Sequence, residues 1–392
     1  MEKPTDKQHH AWVMAGVPAS NLALYHQIRF MMGDPAAFAA VTRPDGTTKR
    51  ILICRDIEMG RAREQARADL VRCPADFAPA EGLSGDRETG VAQSLAEMLI
   101  REKITDATVD RSLPYSFAHH IAERGITIHY DADLGVAERR AKDSEEIEFL
   151  RQAQALTEDA MRMACETVAN AMPDDKGVLH HDGNVLTSER LRSMIDVFCL
   201  QRGAANPHGS IVAGGIIGAD CHHRGEGALH TGQPVIIDIF PLVKDTHYHG
   251  DCTRTVVHGE IPQRVATMHA TVIEAKNAAE KAIHAGATGD GVHAAAVAVI
   301  ERHGFEPGSP PADASASFTS MPHGTGHGIG LEVHEPPLLD VNGPVLVEGD
   351  VLTVEPGLYS KAVGGVRVED MVVVTAAGCE NLNQLPVGLT WA

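Results

Sequence analysis

Four acidic residues stand inside runs that otherwise read as buried β-strand: Asp238 within residues 234–240, Asp251 within 247–258, Glu355 closing 350–355, and Glu369 within 366–374. A carboxylate in such a run is ordinarily an edge or solvent-facing position, because burying it unpaired is costly. Four of them restrict the fold to one that gathers them around a compensating cation. The first two runs read as arms of one hairpin. A two-residue tip at Lys244–Asp245 would set Asp238 directly opposite Asp251, on one sheet face, with Cβ atoms roughly 4.5–5.5 Å apart. Like charges so placed weaken a sheet, and a bound dication would remove the objection. The competing reading is a different register with one Asp solvated.

Histidines point to the same place. Of 22, seven fall between His208 and His258 and three between His323 and His334. In the segment from His323 to Pro337, His323 and His327 have the i, i+4 spacing of a zinc-protease helix. The Glu that should follow the first His is absent, and glycines at 324, 326, 328 and 330 disfavour a helix. Alternating glycines instead predict a strand or loop approached closely by substrate, metal or another backbone. With His327 as a neutral ligand, Asp238, Asp251, Glu355 and Glu369 carry four negative charges that two divalent ions would balance. Oxygen-rich ligation with one imidazole favours Mn²⁺, Co²⁺ or Zn²⁺, and paired metals are machinery for hydrolysis.

The rest of the chain bounds the reading. Its 392 residues lead us to expect two domains. A net charge of −19 argues against nucleic acid or anionic membranes as partners, and no apolar run approaches the length of a bilayer span. The N-terminus does not read as a signal peptide. Seven scattered cysteines without a CxxC pair fit a reducing, cytoplasmic compartment. Residues 1–141 read as a mixed α/β domain, with strands at 50–56 and 126–130, a helix at 90–103, and no ligand-like cluster. A polar seam at 137–143 follows, where Asp143 and Glu146 form a capping box, and the boundary is placed near Lys142. Helices at 262–285 and 290–303, interspersed with hairpin-like strand pairs, predict an α+β protein.

Together these segments resemble the pita-bread metallopeptidases, over about residues 142–380: methionine aminopeptidase, aminopeptidase P, prolidase and their metal-free relative creatinase. The resemblance implies a C-terminal pita-bread domain over residues 142–392, with a curved antiparallel sheet flanked by helices. Residues 1–141 then occupy the place of the creatinase/prolidase-type N-terminal domain. It further implies that Asp251 and Glu369 bridge two metals, Mn²⁺ first among the choices, with Asp238 completing one and His327 and Glu355 the other. Glu355 would also shuttle protons. His222 (with His223 as the neighbouring choice), His323 and His334 match accessory histidines that meet the substrate, and Arg367 would orient carboxylates. The implied activity is cleavage between an N-terminal residue and a following proline in short peptides, by a homodimer or homotetramer. Two departures mark this chain. Asp238 and Asp251 are thirteen positions apart, farther than the family usually shows, and residues 335–354 contain no Arg or Lys. Dipeptide-cleaving prolidases often clamp the substrate carboxylate with an arginine there, so an Xaa-Pro aminopeptidase is expected ahead of an Xaa-Pro dipeptidase. A non-catalytic peptide-binding scaffold is the alternative of a different class.

Overall fold

The computed structural model describes residues 9–391. The chain divides into two compact units, one ending at Arg139 and one beginning at Arg140, and helices and strands intermix in both, giving an α+β protein.

The first unit is built on a six-stranded mixed sheet. Its strand His10–Gly16 runs antiparallel to Ala36–Thr42 and parallel to Asp106–Val109. Both faces are covered, so the inner strands are almost continuously apolar. Val13, Ala15, Ala37 and Ala39 join Val91, Leu95 and Leu99 of the helix Arg87–Arg101 on one face. Met14, Phe38 and Ala40 meet Leu24 and Ile28 on the other. The helix expected at 90–103 begins three residues earlier because the Asp86 side chain accepts from the Thr89 amide.

The second unit is built in two halves, each with its own core of helices packed on strands. In the first, the helix Ser144–Ala169 starts on a capping box in which Asp143 and Glu146 each accept the other's backbone N–H. Its Met161, Ala164, Cys165 and Val168 pack on Ile237 and Ile239 of the strand Pro234–Ile239 and on Val256 of Cys252–Val257. In the second, the helices Gln263–Ala282 and Gly289–Arg302 set Val272, Ala275, Val292 and Val299 against Leu352, Val354, Val366 and Val372.

Two expectations are corrected. The hairpin tip has four residues: the Val243 amide donates to the Tyr248 carbonyl, and the His247 amide to the Val243 carbonyl. A two-residue tip favours Asn, Asp or Gly at positions of positive φ, and Lys244 is none of these. The longer tip needs only His247 in the left-handed region, at φ 63°. The register therefore moves, and Asp238 faces Thr253 rather than Asp251. Because the shift is even, Asp251 keeps to the same face, two residues along. The run 366–374 is also not one strand. Gly364–Arg367 pairs with Gly357–Ser360, whereas Asp370–Val374 pairs with Val351–Val354. Glu369 lies where the chain passes between two sheets. Glu355 occupies the matching place before Pro356, which has no N–H to extend a ladder.

Candidate metal centre

All five sequence-selected ligand candidates meet inside the second unit. The first half supplies Asp238 and Asp251; the second supplies His327, Glu355 and Glu369. Single ligand atoms of Asp251, His327 and Glu369 lie within 4.8 Å of one another, and Glu355 Oε1 is 3.3 Å from His327 Nε2. Asp238, Asp251, His327 and Glu369 are each at most 8% exposed.

Local structure fixes how each side chain is presented. His327 lies on the short strand Gly326–Gly328, held between Glu335–Leu339 and Val351–Val354. A Cβ on Gly326 would stand 2.0 Å from the Thr353 carbonyl oxygen, and one on Gly328 2.5 Å from that of Pro336. The alternating glycines are thus explained by close backbone approach, one of the readings their spacing allowed. His327 Nδ1 donates to the Gly328 carbonyl at 3.1 Å, which leaves Nε2 aimed at the cluster.

Asp238 Oδ2 accepts from Arg367 at 2.7 Å, but its buried Oδ1 has no hydrogen-bond partner. Glu369 Oε2 accepts from the Thr253 hydroxyl at 2.7 Å. Asp251 is gripped through its peptide groups: Gln154 Oε1 accepts from its amide at 2.8 Å, and Gln154 Nε2 donates to its carbonyl at 2.7 Å.

Burial pushes the Asp251 carboxyl well up, and Glu369 and Asp238 add to the effect. Glu369 is raised strongly by burial and by Glu355, and Asp238 more modestly by burial against the pull of Arg367. Burial also raises Glu355, but His327, His323 and Arg367 more than reverse this, to about 2. Three acids that resist ionisation, an orphaned carboxylate oxygen and an imidazole nitrogen facing Glu355 form a donor set suited to divalent cations. The residues fit that group.

The accessory residues form a chain beside the cluster. His323 Nδ1 donates to the Gly324 carbonyl at 2.7 Å, so its Nε2 accepts from the Tyr359 hydroxyl at 2.9 Å. Tyr359 in turn accepts from Arg367 at 2.8 Å, and Arg367 closes on Asp238. Burial lowers the His323 pKa, keeping it neutral. His334 is exposed, with its ring centroid 4.2 Å from that of His327. His222 is exposed on the loop after the 3-10 turn Gly215–Ala219, and its charge would act on both His323 and His334. His223 turns to its own loop, where Nδ1 accepts from the Gly225 amide.

Gln154, Thr253 and Tyr359 were not singled out from the sequence. A signal existed for Gln154, a polar residue on the buried stripe of the helix that Asp143 opens. Thr253 and Tyr359 are common strand residues whose partners Glu369 and His323 are more than 30 positions away, so nothing in their composition marks them.

Comparison with known proteins gives a consistent family. Residues 148–376 match the model of metallopeptidase family M24. The Xaa-Pro dipeptidase of Pyrococcus horikoshii is 27% identical over 288 residues, covering 72% of this chain and 74% of that protein. Among solved structures, the X-Pro aminopeptidase of Thermotoga maritima superposes with TM-score 0.75 at 24% identity, covering 97% of both chains. The Xaa-Pro dipeptidase of Bacillus anthracis gives 0.76 at 22% identity, covering 97% of this chain and 94% of that one.

Proposed function

Because the chain belongs to metallopeptidase family M24, we propose that it hydrolyses the peptide bond between an N-terminal residue and a following proline. Asp238, Asp251, His327, Glu355 and Glu369 would hold two divalent ions, Mn²⁺ first among the choices. The observation that carries it is the convergence of these five side chains with one buried carboxylate oxygen, Asp238 Oδ1, left without a partner. When bound, such ions polarise a carbonyl and acidify water.

The chain's own residues do the rest. Arg367 and Thr253 each occupy one carboxylate oxygen, of Asp238 and Glu369, and so fix which oxygens turn inward. Glu355 is ionised, so it can take a proton from the attacking water and return it to the leaving nitrogen. The depression of its pKa includes a charged His327. A ligating His327 is neutral, and Glu355 would then be kept ionised by the bound ions in its place. The exposed His334 and His222 offer hydrogen bonds to the substrate amide and to the oxyanion that develops from the scissile carbonyl, while His323, kept neutral by burial and with both ring nitrogens engaged, orients Tyr359 and through it Arg367.

The absence of Arg and Lys from residues 335–354 supports an aminopeptidase acting on longer peptides. The name of the Pyrococcus horikoshii relative favours the second reading, an Xaa-Pro dipeptidase. The test is hydrolysis of one Xaa-Pro dipeptide and one Xaa-Pro-Xaa tripeptide by Mn²⁺-loaded protein, beside a chelated control. Chelator-sensitive cleavage of the tripeptide with little of the dipeptide is expected. The reverse preference would establish the dipeptidase, and two bound metals without turnover of either would overturn the proline-specific activity.

A further inference from the structure

A buried ion pair that takes no part in the chemistry above lies directly behind His334. Lys142 Nζ is 3.4 Å from Glu335 Oε2, and each side chain is only 2% exposed. Such a pair is a poor device for stability, since the cost of stripping water from two charges can exceed their attraction. Its placement offers another use.

Glu335 follows His334 and opens the strand Glu335–Leu339. Its Oε1 accepts from the Glu332 amide at 3.0 Å, and the Gly330 amide donates to the Glu332 carbonyl at 3.1 Å. The Glu335 carboxylate thus braces the turn that presents His334 at the Glu332 amide. The rest of the turn is held by the His249 amide, which donates to the Gly330 carbonyl at 2.9 Å, and by the buried Leu331 and Val333. The carboxylate and the lysine fill the space beside Gly330, where a Cβ would lie 2.9 Å from Glu335 Oε2 and 2.9 Å from Lys142 Cε.

Lys142 is itself anchored. Its amide donates to the Gly349 carbonyl at 3.3 Å. Two residues earlier, Arg140 grips the fully buried Asp350 through two bonds of 2.9 and 2.7 Å. Asp350 immediately precedes the strand Val351–Val354, the one that leads to Glu355. A rigid path therefore runs from the strand behind Glu355, through residues 140–142, to Glu335 and the turn that ends in His334.

We propose that Lys142 and Glu335 are positioning residues that hold His334 beside the metal cluster. The inference rests on the assignment of His334 to the substrate site. Removing the pair should misplace the imidazole without disturbing the ligands, and a misplacement of about 1 Å can cost up to about a hundredfold in rate.

The test is a double-mutant cycle on kcat/KM for the tripeptide, using Mn²⁺-loaded protein and measuring metal content throughout. Glu335→Gln keeps the shape and an acceptor for the Glu332 amide but loses the charge that faces Lys142. It should lower kcat/KM about tenfold with metal content unchanged. His334→Ala should lower it at least as far, and the two together no further than His334→Ala alone. The paired replacement Lys142→Met with Glu335→Leu removes both charges at once; it should keep the melting temperature while kcat/KM stays low. Multiplying losses in the double variant, or loss of metal from Glu335→Gln, would overturn the positioning role and leave His334 in place. Unimpaired activity of His334→Ala would overturn both assignments.

Discussion

At the scale of single residues, the division between legible and hidden is chemical. Asp238, Asp251, Glu355 and Glu369 were visible because a carboxylate within an apolar or β-branched run is an anomaly that demands a partner. Thr253, Gln154 and Tyr359 were hidden because a strand threonine or tyrosine, or a helix glutamine, demands nothing until its surroundings are known. Their contributions can be measured. Thr253→Val deletes the hydroxyl that holds Glu369 Oε2 while preserving shape. Metal affinity should fall about 10–100-fold, as when the supporting partner of a ligand is lost; calorimetric titration with Mn²⁺ checks this, and unchanged affinity would remove Thr253 from the site. Gln154→Leu instead strands the Asp251 amide and carbonyl in the interior. At about 1–3 kcal/mol for each unsatisfied group, unfolding in urea should show a loss of roughly 2–5 kcal/mol, well beyond that of an ordinary surface change.

At the scale of elements, periodicity located the strands and helices but not the places where a run changes sheets. The run 366–374 is continuously strand-like in composition, yet it divides because Arg367 and Asp370 pair with different partners. The length of the hairpin tip is hidden for a related reason, since it depends on which residue tolerates positive φ, and His247 is not an evident choice. The glycines allow a cleaner test. Gly326→Ala places a methyl group 2.0 Å from the Thr353 carbonyl oxygen in the strand that bears His327. It should destabilise the protein by about 1–3 kcal/mol or more and lower activity. Gly60→Ala, in the helix Met59–Gln65 with open space around the site, should stabilise by up to about 1 kcal/mol. Equal effects in denaturant melts would contradict the close approach at Gly326.

At the scale of the molecule, gathering acids into one buried centre sets how stability depends on metal and on pH. In metal-free protein, Asp238, Asp251 and Glu369 all have pKa values raised by burial first and also by the Glu355 charge, with Asp238 adding at both Asp251 and Glu369. An acid raised on folding contributes stability that is fully present below its unfolded pKa, about 4, and lost as pH rises through the folded value. These three acids should therefore add stability to the metal-free protein as pH falls from about 7 toward about 5, whereas the buried His249, His269 and His323, whose pKa values burial lowers, give stability up over the same range. Asp370 works in the other direction. Burial raises its pKa, but Arg254 and Lys276 overcome this and hold it below the usual range, so its contribution is lost only in stronger acid. Bound dications should reverse the trend by taking the place of protons. Mn²⁺-loaded protein should melt higher than metal-free protein at pH 7, by an amount that grows with free metal. The difference should shrink steadily toward pH 5 as protons compete for the same oxygens. Melting curves of dialysed and Mn²⁺-loaded protein across that range decide the matter. A metal increment independent of pH would mean that these carboxylates do not form one electrostatic unit.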